Sequence, residues 1–272
     1  MKSHRKELLA RFFERSKLNL GRCLAPGLTC TSKAIQAHSL QNSQVLGLLA
    51  TEGHVTMFRH RIDAEKGPAI FLDEVGRNQA TTFTGFCGVH DAAIFKSVDT
   101  KPFDSTDVEQ LFLVAYRAVA RELHTQMEGA ARIQGLYSDR VQMGLDSGGE
   151  ATPSGVIATQ YLINSYESYL YKARFDEALV SGRYDLLLHD VIPLQGQEPT
   201  VAVCSLFSVD NVSRGGDPVR AALNVLPLTV SESVAVFSYL PEDADLARAS
   251  LARRAIKFGE PLPKVSIVEV DH

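Results

Sequence analysis

Three of the four cysteines in this chain, Cys23, Cys30 and Cys87, fall in its first third, close to several histidines, while Cys204 stands apart. That distribution constrains the fold more than any apolar pattern in the chain. Four thiols in 272 residues are too sparse for a disulfide scaffold. Thiolate and imidazole are the usual ligands of zinc, and four of them around a tetrahedral ion make a structural site. Cys23 and Cys30 straddle Pro26 and Gly27, so the loop between them can fold back and bring two sulfurs to one ion. Cys87 and His90 are three apart at the head of an apolar helical turn over 92–95, and project from the same side of it.

Cys23, Cys30, Cys87 and His90 are therefore the expected ligands of a structural Zn2+, which would replace the core that a small glycine-rich lobe cannot build alone. The plainer alternative is a set of unrelated buried thiols, since free cysteine often behaves as a small core hydrophobe. Cys204, inside Val201-Ala202-Val203-Cys204, reads as core. His38 is either a fourth ligand in place of His90 or a base beside the metal. His54 and His60 read as strand surface, and His4, His124, His189 and His272 have no partner by spacing.

Periodicity predicts a helix over 4–17, a loop or knuckle over 18–34 and a short helix over 39–50. Strands are expected at 54–59 and 69–72. A long helix over 106–128 would be capped by Ser105 or Thr106, with Glu109 completing a capping box. Residues 144–155 (GLDSGGEATPSG) form the best linker candidate, dividing a helical zinc-knuckle lobe, 1–143, from a lobe over 156–272. A second long helix is expected over 157–182. Strand-like runs follow at 184–188, 200–207, 221–228 and 233–240, separated by Pro199, Gly215, Gly216, Pro218 and Pro241. Helices followed by an antiparallel sheet make the fold class α+β.

No apolar run approaches the ~18–20 residues that span a bilayer, and the charged N-terminus is not followed by an apolar core, so a cytoplasmic protein without membrane contact is expected. The formal net charge of −4 is uneven. Residues 1–34 carry +6, from Lys2, Arg5, Lys6, Arg11, Arg15, Lys17, Arg22 and Lys33 against Glu7 and Glu14, which leaves −10 for the rest. A basic head on an acidic body points to DNA or RNA as a partner, although Leu8, Leu9, Phe12 and Phe13 also suit a solvated amphipathic helix.

A zinc knuckle, a following histidine and a Cys-x2-His opening a helix resemble the treble-clef arrangement of HNH-type nucleases. More closely, Cys23, Cys30, Ala37-His38-Ser39-Leu40-Gln41, Phe83-Thr84-Gly85-Phe86-Cys87-Gly88-Val89-His90-Asp91, Phe95 and Phe112-Leu113-Val114-Ala115-Tyr116-Arg117-Ala118 are similar to a group of poorly characterised bacterial proteins, loosely HNH-like. The similarity covers roughly residues 20–125. It implies a zinc-organised, treble-clef-like N-terminal lobe in a bacterial cytosolic protein, and a role in defence against phage or mobile DNA. It supplies no established activity.

The chain departs from the nuclease pattern in three places. Ala37 stands where an acidic or histidine neighbour of the base is usual, 48 residues separate His38 from Cys87, and His90 cannot serve both a structural and a catalytic metal. Three functions follow as expectations. The first is a zinc-binding module that contacts nucleic acid through the basic head or a protein through the C-terminal lobe. The second is an HNH-like nuclease using Mg2+ or Mn2+ with His38 as general base, and the third is a structural subunit that touches no nucleic acid. Arg117 and His124 also fit the loose spacing of HEPN ribonucleases, seven residues placing both on one helix face; the plainer reading pairs Arg117 with Asp91 or Glu122. The loop over 208–216, with Asp210, Asn211 and Arg214, is a polar turn or an anion cradle.

Overall fold

The computed structural model describes residues 2–27, 29–63, 67–195, 198–209 and 218–258. Helix α1 (Lys2–Ser16) precedes a knuckle closed by a bridge between Arg22 and Lys33. Strand β1 (Ile35–His38) pairs antiparallel with β4 (Thr82–Phe86), through a bulge between Ile35 and Ala37. Between the two lie a π-helical turn (Asn42–Leu46), a short helix α2 (Gly47–Leu49) and a hairpin of β2 (His54–Asp63) and β3 (Gly67–Gly76). Two short helices, α3 (Gly88–Ile94) and α4 (Lys96–Thr100), lead into the long helices α5 (Val108–Gln142) and α6 (Pro153–Ser181). Strands β5 (Leu188–Gln195), β6 (Val203–Val209), β7 (Val219–Pro227) and β8 (Glu232–Tyr239) form an antiparallel sheet in the order β5-β8-β7-β6, and α7 (Ala244–Phe258) follows. Mixed helix with antiparallel sheet is the expected α+β class.

Helix α5 is the axis of the molecule. Its face from Leu111 to Leu123 is buried among α6, β4, α4 and the four-stranded sheet. The cap differs from expectation: the Thr106 amide and hydroxyl both donate to the Asp104 carboxylate, and Asp107 takes the N-cap by accepting from the Glu109 and Gln110 amides. The helix also continues past 128 through Gly129 and Gly135. Those glycines mark close approaches, since a Cβ at 129 would meet the Tyr161 ring at 3.4 Å and one at 135 would clash with the Arg15 guanidinium. Helix α6 runs antiparallel to α5, Tyr116 meeting Asp176 near one end and Gln134 meeting the Ala158 carbonyl towards the other. Thr152 caps α6 at its start and Gly182, at φ 67°, ends it in the left-handed conformation.

The run over 184–188, expected as a strand, is instead a 3-10 turn (Tyr184–Leu186) leading into β5. The candidate linker 144–155 contains the turn between α5 and α6 and the first residues of α6. A single cluster of buried side chains draws from both sides of that turn, joining Cys23, Phe86, Phe112 and Tyr116 to Phe175, Cys204 and Val236. The other face of the sheet packs Phe207, Phe237 and Tyr239 against Ala247 of α7. Among the described residues no helix is long and apolar enough to cross a membrane.

Candidate metal centre

The knuckle is shaped before any ligand is considered. The Ala34 amide donates to the Gly21 carbonyl, and Gly21 and Gly27 adopt φ of 48° and 82°, conformations that glycine takes at no steric cost. The Leu24 amide donates to the Gly85 carbonyl at 2.7 Å and fastens the knuckle to β4. One residue beyond β4, Cys87 takes the N-cap position of α3, and His90 sits in the first turn of that helix. The knuckle and the helix start are thereby brought face to face.

The four expected ligands converge: Cys23 Sγ, Cys30 Sγ, Cys87 Sγ and a ring nitrogen of His90 all lie within 4.8 Å of one another. Cys30 and Cys87 sulfurs are 3.8 Å apart, and His90 Nδ1 is 3.4 Å from Cys23 Sγ and 3.3 Å from Cys87 Sγ. A tetrahedral ion with Zn–S of about 2.3 Å and Zn–N of about 2.0–2.1 Å requires roughly 3.8 Å between sulfurs and roughly 3.6 Å between sulfur and nitrogen. These three of the six edges match to within a few tenths of an ångström. Cys23 and Cys87 are buried, and Cys30 and His90 are half-buried.

Burial pushes the Cys23 thiol up, while a hydrogen bond from the Ser32 backbone brings the Cys30 thiol down to about 7. The Cys87 amide donates to Cys23 Sγ at 3.4 Å. Three thiolates and a neutral imidazole around a divalent cation sum to one negative charge. That charge has a buried cation nearby. Lys172 of α6, 1% exposed, donates to the Leu24 carbonyl at 2.7 Å, to the Tyr116 hydroxyl at 3.0 Å and to Asp176 at 2.5 Å. Spacing offered the Lys172/Asp176 pair at i, i+4 but nothing to say that it is buried beside the knuckle.

His38 does not join this cluster, whose imidazole is that of His90. At the end of β1 its Nε2 lies 3.3 Å from the Arg77 carbonyl. Burial holds the His38 imidazole below its ordinary value, the Arg117 charge adds to that, and the Arg77 carbonyl, Asp91 and Asp99 oppose it. Burial raises the Asp91 carboxyl, and its Oδ1 has no hydrogen-bond partner among the described residues.

Arg117 and His124 do not converge. Arg117 pairs with Asp99 at 3.0 and 2.7 Å, rather than with Asp91 or Glu122, and stacks over Phe95. His124 contacts Thr84 and Glu128. The basic head is similarly engaged: Arg15 holds Asp139 with two hydrogen bonds, Arg11 reaches Asp139 and Glu7, and Lys17 pairs with Glu14. The side chains of Lys2, Arg5 and Lys6 lie outside the described residues, as do residues 210–217 of the polar loop. Comparison with protein-family models, with curated proteins and with solved structures finds no match.

Proposed function

We propose that this chain is a zinc-organised binding module, in which the ion fixes the knuckle against α3 and the knuckle presents a cationic, hydroxyl-lined face to nucleic acid. The observation that carries the reading is the convergence of three sulfurs and one imidazole to within 4.8 Å of one another. A site with four protein ligands leaves no open position for chemistry, which suits a structural role. Zinc bound there supplies a fixed cross-link. The order of elements, a knuckle, a β1/β4 pair and then the helix that carries His90, with the β2/β3 hairpin between the two strands, supports a treble-clef-like reading of this lobe.

The knuckle cleft is lined by Arg22 and Lys33 together with Thr29, Thr31 and Ser32. Cations and hydroxyls are the groups that meet phosphate oxygens without reading sequence. Helix α6 supplies a second face for a protein partner, with Ile157, Leu162, Tyr166 and Leu170 all exposed. A cytoplasmic setting, where thiolates stay reduced, and a role in bacterial defence belong to the same reading.

Metal analysis of the purified protein should return one zinc per chain, and wild type should retard DNA or RNA in a salt-sensitive manner. Arg22→Glu/Lys33→Glu should abolish the retardation without loss of zinc. Zinc without any retardation would favour a structural subunit.

A second reading, a Mg2+- or Mn2+-dependent nuclease with His38 as base, has one observation in its favour. The His38 ring is oriented by the Arg77 carbonyl, and Asp91, with an unpartnered oxygen, lies within electrostatic reach. Cleavage of plasmid or structured RNA that requires the metal and is lost in His38→Ala would replace the first reading with this one.

A further inference from the structure

We propose that the outward face of α6 is a coiled-coil seam on which a second copy of this chain docks antiparallel. The proposal rests on the reading of α6 as a partner-binding face, names the partner, and takes nothing from the metal chemistry.

Helix α6 has two faces of different use. One, through Ala158, Ser165, Ser168, Lys172 and Phe175, is buried, with α5 its main neighbour. On the opposite side Val156, Thr159, Ile163, Tyr166, Leu170 and Ala173 follow in steps of three, four, three, four and three. That alternation is the a/d repeat of a coiled coil, and at about 100° per residue all six fall on one stripe. Val156, Ile163, Tyr166 and Leu170 are 44–60% exposed, and Leu162 and Tyr169 border them at 54% and 39%. From Pro153 to Tyr171 the sole charged residue is Glu167. It is met within its own chain by Arg220, which donates to its backbone carbonyl at 3.0 Å and to its carboxylate at 3.5 Å. A helix left in water on one side carries charge there, whereas one apolar on both sides is built to be covered on both.

The seam is complementary to itself. With two copies antiparallel and centred between Ile163 and Tyr166, Ile163 meets Tyr166 of the second copy. Thr159 then meets its Leu170 and Val156 its Ala173, and every contact occurs twice about the two-fold axis. Leu162 lies beside Tyr169 on one flank, and Gln160 beside Glu167 on the other, so no two like charges face each other. The Thr159 hydroxyl already donates to the Gly155 carbonyl and the Gln160 amide to Asn164, so covering them strands no donor.

The area is that of a real interface. At about 200 Å2 per large side chain, the six large apolar residues, 39–60% exposed, present roughly 600 Å2 per copy, close to the ~800 Å2 per partner of standard complexes. Packing on α5 already holds the helix, so docking orders little backbone.

Sedimentation velocity on the full chain tests this, with helical circular dichroism and zinc content measured on the same samples. The 29.8 kDa chain should run as a dimer of about 60 kDa at about 100 μM and dissociate on dilution with micromolar affinity. Ile163→Glu and Tyr166→Lys, both at exposed positions, should each stay folded and run as monomers at that concentration. An equimolar mixture of the two variants should recover the dimer, because the introduced carboxylate and ammonium face each other across the seam. Monomeric wild type would leave the α6 face to a partner of another kind and overturn the proposal. A dimer that persists in either variant, or a mixture that stays monomeric, would overturn it as well. Zinc content is read separately from mass, so failure of the metal reading is distinguishable from failure of the seam.

Discussion

Lys172→Met probes how the cysteine knuckle is tied to the body of the protein. The wild-type ammonium is 1% exposed and holds three oxygens, from Leu24, Tyr116 and Asp176. Methionine preserves the apolar stem but leaves Asp176 with only the Tyr116 hydroxyl, at 2.7 Å, of these contacts, and strips the Leu24 carbonyl of its ammonium donor. Removing one partner of a buried ion pair costs about 3–5 kcal/mol. Asp176 is 14% exposed at its side chain, so water reaches it and the lower end applies, about 3 kcal/mol.

Asp176→Leu alone strands the ammonium at similar cost, while the double variant strands neither charge. The double variant should therefore lose at least about 2 kcal/mol less than the sum of the single losses. The pH dependence has a definite sign. Burial holds the folded-state pKa of Lys172 below its ordinary value, although Asp176 pulls the other way. Between the depressed value and the ordinary lysine range the unfolded chain binds more protons, so wild-type stability gains from this group as pH rises through that window. The Lys172→Met variant lacks that gain. Urea denaturation between pH 7 and 10 reads both quantities. Zinc transfer to a chelator reads a third, expected to weaken about 10–100-fold because the lysine holds the residue next to Cys23. A single-variant loss below about 1 kcal/mol, or additive single losses, would refute the claim that this network anchors the knuckle.

Cys87→Ser should lower the melting temperature by about 5–15 °C, and a chelator should do the same to wild type but little to the variant. His189 sits on β5 with Nδ1 2.8 Å from the Ser238 hydroxyl, and burial holds its pKa down to about 4. Because the native ring stays neutral while the unfolded one protonates, about 3 kcal/mol present above pH 6.5 should be lost as pH falls to 4. His189→Gln should lack that acid limb in urea midpoints measured across the range. Asp139→Ala releases Arg11 and Arg15 and should cost only about 1 kcal/mol, since both arginines reach solvent. It should also speed amide exchange in α1 more than in α5.

The convergence of Cys23, Cys30, Cys87 and His90 was legible because its chemistry is local. Cysteine and histidine are the residue types that zinc needs, Pro26 and Gly27 announce the reversal between the first two, and the three-residue step from Cys87 to His90 is a helix-start spacing. Helix α5 was legible only as far as Gly129, because glycine reads as a breaker until one sees the Tyr161 ring and the Arg15 guanidinium lying over the two positions. The β2/β3 hairpin was visible as two short runs rather than ten-residue strands, since its full ladder from His54–Gly76 to Asp63–Gly67 includes charged positions that break the apolar alternation. Arg11 and Arg15 read as part of a cationic surface because Asp139 lies more than 120 residues away. No spacing rule reaches that far. Burial of Lys172 and Asn224 is set by elements distant in sequence, and a polar residue in an otherwise ordinary helix or strand carries no local mark of it.

The candidate metal centre is keyed into the common core rather than standing in for one. Cys23 and Cys87 belong to the same buried cluster as Phe112, Phe175 and Val236. The backbone around them is already committed: the Leu24 amide to Gly85, the Leu24 carbonyl to Lys172, and the Cys87 amide to Cys23 Sγ. An ion added to such a frame closes the 57-residue separation from Cys30 to Cys87, whose ends the β1/β4 pairing has already brought together. Much of the loop-closure entropy is therefore met by strand pairing, and a metal's contribution would be concentrated on the register of the knuckle against α3. The consequence runs through Leu24: a shift of the knuckle displaces the carbonyl that Lys172 holds, and with it the contact between α6 and Tyr116 of α5. Loss of an ion bound there would thus be felt in the α5/α6 pair as well as in the segment that carries the sulfurs.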